Sequence, residues 1–257
     1  MPASSYDVIP DFGLLYDSVP LYAARKDIGF YVGEAAAARG PVLELGCGTG
    51  RILLPIARAG RIVAGLDASP QMLARCREKL AAEPEPVRAR VTLHEGNVRA
   101  FDLGGEFALV IAPFRIFQHL TTIEDQLGFL AAVLRHLAPG GRFVFDVFNP
   151  NFTALTHADG VEHEDTPEQP LPDGRSFRRA ARVTRVRWLD QVSETELIYY
   201  VSEQRFVQAF EMRWYLRAEL LHLLARAGFR VREMYGDFAR APLVEGSAEL
   251  VLCAERA

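Results

Sequence analysis

The sequence predicts an α/β fold: a doubly wound, mostly parallel sheet that carries a small antiparallel β insertion. Three observations predict it. Short apolar runs alternate with helical patterns between positions 41 and 148, which is the signature of βαβ units and their parallel strands. A glycine-rich turn follows the first of those runs, where such sheets place their ligand site. After Asn149 the alternation stops, a β-rich stretch intervenes, and a helix with two further strands closes the chain.

The elements follow in order. Residues 1–20 are polar, with prolines at 2, 10 and 20, and read as an arm; about 21–38 read as one helix, stopped by Gly40 and Pro41. The segment 42–45 is a short buried strand and 51–60 a helix ended by Gly60, with a strand over 61–67. Ser69 then caps a helix over 69–82, with Pro70 at its first position, where a missing N–H costs nothing. A loop at 83–87 leads to strands at 89–96 and 107–114. A helix over about 124–137 closes on a turn at Pro139, Gly140 and Gly141, before a strand at 142–148. Residues 149–174 hold four prolines and many acids and read as loop. Residues 177–215 hold three β-rich runs, with a hairpin connection at Leu189, Asp190 and Gln191. An amphipathic helix at 216–228 and two closing strands, readable as an antiparallel hairpin, complete the chain. This divides it into an α/β unit (1–148 and 216–257, with 1–38 as its arm) and a β insertion at 149–215.

Composition narrows the function classes. The 257 residues are 49% hydrophobic and 24% charged, ordinary for a globular protein with a substantial core. A net charge of −4 argues against a broad basic face for nucleic acid. Cys47, Cys76 and Cys253 are scattered and odd in number, so neither a disulfide framework nor a zinc site is suggested. No basic-then-apolar leader is present and no apolar run nears the ~20 residues of a membrane span, so a cytoplasmic setting is expected. The oligomeric state, a homodimer included, stays open.

The chemistry is concentrated in Val42-Leu43-Glu44-Leu45-Gly46-Cys47-Gly48-Thr49-Gly50, a strand running straight into a glycine turn. A dinucleotide fingerprint spaces its glycines GxGxxG, and its third glycine would fall on Arg51; here the glycines at 46, 48 and 50 make GxGxG. This turn resembles the nucleotide-binding motif of class I S-adenosylmethionine-dependent methyltransferases. The later landmarks of that family fall in order: Asp67 ends the second strand, Gly96-Asn97 stands where the family usually has Gly-Asp, the Pro-Gly-Gly segment precedes the fifth strand, and the late helix is present.

The resemblance implies a seven-stranded Rossmann-like sheet, S-adenosylmethionine as cofactor, and methyl transfer to a nitrogen or oxygen of a small molecule. It implies a cofactor site built from Glu44, Gly46, Cys47, Gly48, Gly50, Asp67, Ala68, Met72, Asn97 and Val98, with Ala112 and Phe114 near the methionine moiety. Asp67 would accept from the ribose hydroxyls and Asn97 from the adenine amino group, without charge. In related small-molecule enzymes an arm and first helix close over the cofactor; carried over, Tyr16 and Tyr22 border the methyl group and Arg25 pairs with the methionine carboxylate. The fourth strand ends in Ala112-Pro113-Phe114-Arg115, which lacks the polar first residue and second proline of the adenine- and glutamine-directed enzymes. No cysteine stands where a cytosine-C5 enzyme needs its nucleophile. The β insertion resembles the roof that small-molecule N-methyltransferases set over their acceptor.

His119, just past the fourth strand, is the general-base candidate, since a histidine near neutrality can take a proton from an amine or hydroxyl; packing beneath the site is the alternative. The six arginines between 175 and 187 read either as an anion-binding roof or, preferably, as a solvated face balanced by Glu194, Glu196 and Glu203. His157 and His163 read as solvated loop rather than metal ligands, because their spacing is loose.

Overall fold

The structure is a computed structural model that describes residues 9–156 and 160–257. Seven strands form the main sheet: β1 (Val42–Leu45), β2 (Val63–Asp67), β3 (Val91–Glu95), β4 (Phe107–Ala112), β5 (Leu137–Phe148), β10 (Phe229–Tyr235) and β11 (Glu249–Arg256), in the order β10-β11-β5-β4-β1-β2-β3. All run parallel except β11, which lies antiparallel to both β5 and β10. The strand order reverses between β1 and β4, and the glycine turn after β1 opens at that switch point.

Alternation along the strands assigns the two faces. Leu43, Val110, Phe143 and Phe145 join α7 (Ile123–His136) and α9 (Arg217–Arg226) on one side. Val42, Leu109, Ile111 and Val144 join α3 (Asp27–Ala37), α4 (Leu53–Arg58) and α5 (Pro70–Ala81) on the other. Cover on both faces is why β1 is buried at every position, Glu44 included. The capping expectations hold: Ser69 Oγ accepts from the Met72 N–H at 3.2 Å, and Thr122 Oγ1 from the Asp125 N–H at 3.1 Å.

Four local readings are corrected. The described part of the arm is helical: α1 (Phe12–Asp17), α2 (Pro20–Ala23) and then α3 replace a loop and one long helix. Ile9, Phe12, Leu15 and Val19 are buried there against Phe177, Tyr199 and Val201 of the insertion, a tertiary contact that overrides the polar local composition. The segment after α5 holds a short helix, α6 (Glu85–Arg88), where a loop was expected. The Pro-Gly-Gly segment lies inside β5 as an irregularity: Phe107 pairs with Leu137 but Leu109 with Arg142, and Gly140 absorbs the extra length at φ 73°. Finally, 149–174 is not all loop: α8 (Phe152–Thr156) and β6 (His163–Pro170) lie within it. His163 is thus on a strand, and His157 lies outside the described residues.

The insertion is a second sheet, β6-β7-β8-β9, with β7 (Ser176–Arg187), β8 (Val192–Val201) and β9 (Gln204–Arg213) antiparallel throughout. Pro167 and Pro170 are tolerated because β6 is its edge, and register shifts interrupt the pairing of β6 with β7. Among the described residues no helix is long and apolar enough to cross a membrane.

Candidate active site

The glycine turn is shaped by its neighbours. Gly46, Gly48 and Gly50 sit at φ 72°, 53° and 81°, a region that disfavours any side chain. A Cβ on Gly46 would stand 2.2 Å from Ile116 Cδ1, so the segment after β4 rests directly on the turn. Asp67, at the end of β2, accepts from the Gly48 N–H at 2.8 Å and the Ser69 N–H at 2.9 Å, tying the turn to the N-terminus of α5.

Above the turn lies a cavity of about 310 Å³, within the size range of small-ligand sites. Its floor includes Glu44, Gly46, Cys47, Gly48, Asp67 and Met72; the arm contributes Tyr16 and Tyr22; Phe114 and His119 stand after β4. Ten sequence-derived candidates therefore meet in one place. Burial pushes the Glu44 carboxyl well up, and Oε2 is buried without a hydrogen-bond partner among the described residues. An orphaned buried acceptor beside a backbone cradle is what an amino- and hydroxyl-bearing ligand would satisfy.

The remaining candidates are placed differently. Gly50 packs beneath the turn, where a Cβ would stand 2.8 Å from Cys76 Sγ. Ala112 is buried in β4, Val98 packs on the core, exposed Ala68 follows Asp67, and Asn97 Oδ1 accepts from the Arg99 N–H at 2.9 Å. These five do not line the cavity. Arg25 does not line the cavity either. Its Nε donates to Asp27 at 2.9 Å, Nη1 to Glu249 at 3.0 Å and Nη2 to Asp146 at 2.7 Å, so three carboxylates engage the guanidinium expected to meet the cofactor's carboxylate. Among the described residues two cations line the cavity, Arg115 and Arg51, and the two terminal nitrogens of Arg51 hold Asp27 at 2.7 Å each. In the sequence Arg51 bears only on the glycine spacing, where it rules out a dinucleotide fingerprint.

Three aromatic rings converge at the cavity. The Tyr16 and Tyr22 centroids are 4.7 Å apart, and Phe114 meets Tyr22 edge-on at 5.0 Å. Phe114 also carries the Arg25 and Arg51 guanidinium carbons, each 5.1 Å from its centroid. Phe114 and Arg115 are consecutive non-glycine residues at φ 58° and 69°, conformations that cost ~1–3 kcal/mol each and gather at functional sites.

The far wall comes from the insertion: Thr195 and Leu197 of β8 with Gln208, Phe210 and Met212 of β9. No motif marks these residues; only the topology brings them over the turn. His119 faces them, its ring 5.6 Å from that of Phe210. Burial lowers its pKa to about 4, outweighing a hydrogen bond to the Glu211 backbone that favours the charged form, so the imidazole is neutral at physiological pH.

The arginine-rich strand is matched by acids. Arg182 meets Glu196 at 2.6 Å, Arg187 meets Glu194 at 2.5 Å and Glu211 at 2.7 Å, and Arg175 meets Asp173 at 2.6 Å. Arg179 differs: it is buried, grips Asp165 through Nε and Nη2 at 2.9 Å each, and donates to Tyr22 Oη at 2.5 Å. It therefore joins the insertion to the arm. No cluster of potential metal ligands occurs among the described residues.

Comparison with known proteins agrees with this geometry. Residues 42–141 match a family model described as a methyltransferase domain. The chain is 28% identical over 221 residues to the dTDP-3-amino-3,4,6-trideoxy-alpha-D-glucopyranose N,N-dimethyltransferase of Streptomyces venezuelae, covering 84% of this chain and 86% of that one. Its structure is similar to the CcbJ methyltransferase of Streptomyces caelestis, with a TM-score of 0.76 at 27% identity over 99% of this chain and 96% of that one. It is also similar to CalS10 of Micromonospora echinaspora, an amino pentose methyltransferase solved with S-adenosylmethionine bound, with a TM-score of 0.68 at 27% identity over 95% and 97% of the two chains.

The chain is a class I S-adenosylmethionine-dependent methyltransferase. Its cofactor is S-adenosylmethionine, and the methyltransferase presents the chemistry that molecule needs: a glycine turn open to close approach, the Asp67 carboxylate, and the unsatisfied Glu44 oxygen.

Proposed function

We propose that the methyltransferase transfers a methyl group to a nitrogen of a small-molecule acceptor held between His119 and the insertion sheet. The observation that carries this is the cavity itself: one wall is the glycine turn, the other is Thr195, Leu197, Gln208, Phe210 and Met212 of the insertion. The 28%-identical relative named above acts on the amino group of a nucleotide-linked sugar, which supports nitrogen over oxygen.

When bound, S-adenosylmethionine supplies a methyl carbon activated by the sulfonium; the rest is positioning. Glu44, the turn and Asp67 hold the cofactor, and Arg51 rather than Arg25 faces its carboxylate. Tyr16, Tyr22 and Phe114 offer ring faces to a sulfonium, a cation that aromatic quadrupoles attract. The insertion orients the acceptor's lone pair along the methyl–sulfur axis and excludes water. A neutral His119 can accept a hydrogen bond from an amine or hydroxyl. Its low pKa makes it a weak proton sink, so the amine must arrive as its free base. The domain division at 149–215, with the insertion as acceptor roof, belongs to this proposal. So does a cytoplasmic setting, for which three buried free thiols speak.

The test pairs S-adenosylhomocysteine binding by calorimetry with a panel of aminosugars, alkylamines and phenols, read by mass spectrometry for the gain of a methyl group. Methylated aminosugar is expected. Methylation of the phenols alone would overturn the nitrogen assignment, and no binding of S-adenosylhomocysteine would overturn the cofactor site.

A further inference from the structure

The segment after β4 is the hinge of the site. It carries Phe114 into the cavity, lays Ile116 against Gly46, and leads to His119. Yet it is built from two consecutive non-glycine residues in the left-handed region. Such a conformation persists only where its surroundings over-determine it.

Those surroundings converge on one carboxylate that no sequence motif marked. Asp146 lies in β5, is fully buried, and accepts the Phe114 N–H on Oδ1 at 2.8 Å. The same oxygen accepts the Tyr31 hydroxyl at 2.6 Å, and Oδ2 accepts Arg25 Nη2 at 2.7 Å. Arg25 and Arg115 both reach Glu249 Oε1, at 3.0 and 3.2 Å, fixing the next residue of the turn from the side. Arg25 thus has an occupation: it neutralises Asp146, stacks on Phe114 and bridges to Glu249. Asp27, in turn, is shared between Arg25 and Arg51. Each partner of the carboxylate is also attached to the turn or to the arm.

We propose that Asp146 is a positioning residue, which holds the strained turn at Phe114 and Arg115 so that the ring of Phe114 and the side chain of Ile116 define the junction between the cofactor turn and the acceptor wall. Asp146 does not line the cavity; it acts through the Phe114 backbone. This rests on the methyl-transfer reading above, and wild-type binding of S-adenosylhomocysteine tests that parent separately.

The experiment is Asp146→Asn. The amide keeps the volume but can no longer accept from the Phe114 N–H, the Tyr31 hydroxyl and Arg25 together. A hydrogen bond to a charged group is worth roughly 10- to 100-fold in an equilibrium, so the Phe114 amide should exchange with solvent faster by about that factor. Calorimetric affinity for S-adenosylhomocysteine should fall about tenfold as Ile116 leaves Gly46, and with a methylated acceptor in hand kcat should fall more than KM rises. A merely structural carboxylate would lower the melting temperature and leave affinity and the kcat-to-KM split unchanged; that result overturns the proposal. Should the variant not fold, amide exchange of the wild-type protein decides. Phe114 must exchange as slowly as the amides of β5, and exchange at loop rates overturns the assignment.

Discussion

Replacing Gly46 with alanine separates two demands on the glycine turn. The first is conformational: an alanine at φ 72° costs ~1–2 kcal/mol. The second is steric, because the new Cβ would lie 2.2 Å from Ile116 Cδ1 and 2.6 Å from Cγ1, and forcing a methyl into a packed contact costs ~1–3 kcal/mol. Together they give about 2–5 kcal/mol, a large share of the ~5–15 kcal/mol that holds a typical protein folded. Gly60 is the control: it sits at φ 87°, but its Cβ would meet nothing within 4 Å, so only the conformational part applies. At roughly 2–4 °C per kcal/mol for a chain of this size, Gly46→Ala should lower the melting temperature by about 10 °C and Gly60→Ala by about 3–6 °C. Scanning calorimetry reads both, and titration with S-adenosylhomocysteine should show weakened binding for Gly46→Ala alone. Equal melting shifts with equal, unchanged affinities would refute the argument that Ile116 seats the turn.

Other substitutions probe the remaining walls. His119 is held at about 4 against an ordinary value near 6.5, so the unfolded chain binds a proton more readily than the native one between those values. Stability is therefore lost as pH falls from 6.5 to about 4, by at most ~3 kcal/mol from this residue, and His119→Gln should flatten that part of a pH-dependent unfolding series; a slope identical to wild type would contradict the assignment. Arg179→Met should cost ~1–3 kcal/mol by stranding Asp165 and Tyr22, and should expose the arm to limited proteolysis; an unaltered digestion pattern would mean the arm is held by apolar contacts alone. Arg187→Gln removes only half-exposed surface pairs and should shift stability by less than ~1 kcal/mol and S-adenosylhomocysteine affinity not at all; a large effect would revive an anion-binding role for that strand.

The core of the fold was legible because its cause is local. Strands buried on both faces show as unbroken apolar runs such as Phe107-Ala108-Leu109-Val110-Ile111-Ala112, and Ser69 with Pro70 announces α5 within one turn. The glycine spacing likewise announces a positive-φ turn within five residues. What escaped depends on distant partners. The arm looked polar because Phe12, Leu15 and Val19 find their apolar company on β7 and β8, more than a hundred residues away. β6 looked like loop because its prolines are allowed only once it becomes a sheet edge. Asp146 stood unremarked inside an apolar strand, although a charged residue in such a run is itself a signal that partners must exist. The partners of Arg25 could not be read from spacing at all, since they are three carboxylates brought together from β5, β11 and α3.

The central claim is that the cavity between the glycine turn and the insertion takes an adenosyl sulfonium on one side and the acceptor on the other. A crystal structure with S-adenosylhomocysteine tests it most directly. The account predicts the adenosyl group over residues 46–50 beside Asp67, with the sulfur turned toward Tyr16, Phe114 and His119. A ligand lodged elsewhere, or a sulfur turned away from the insertion wall, would contradict it.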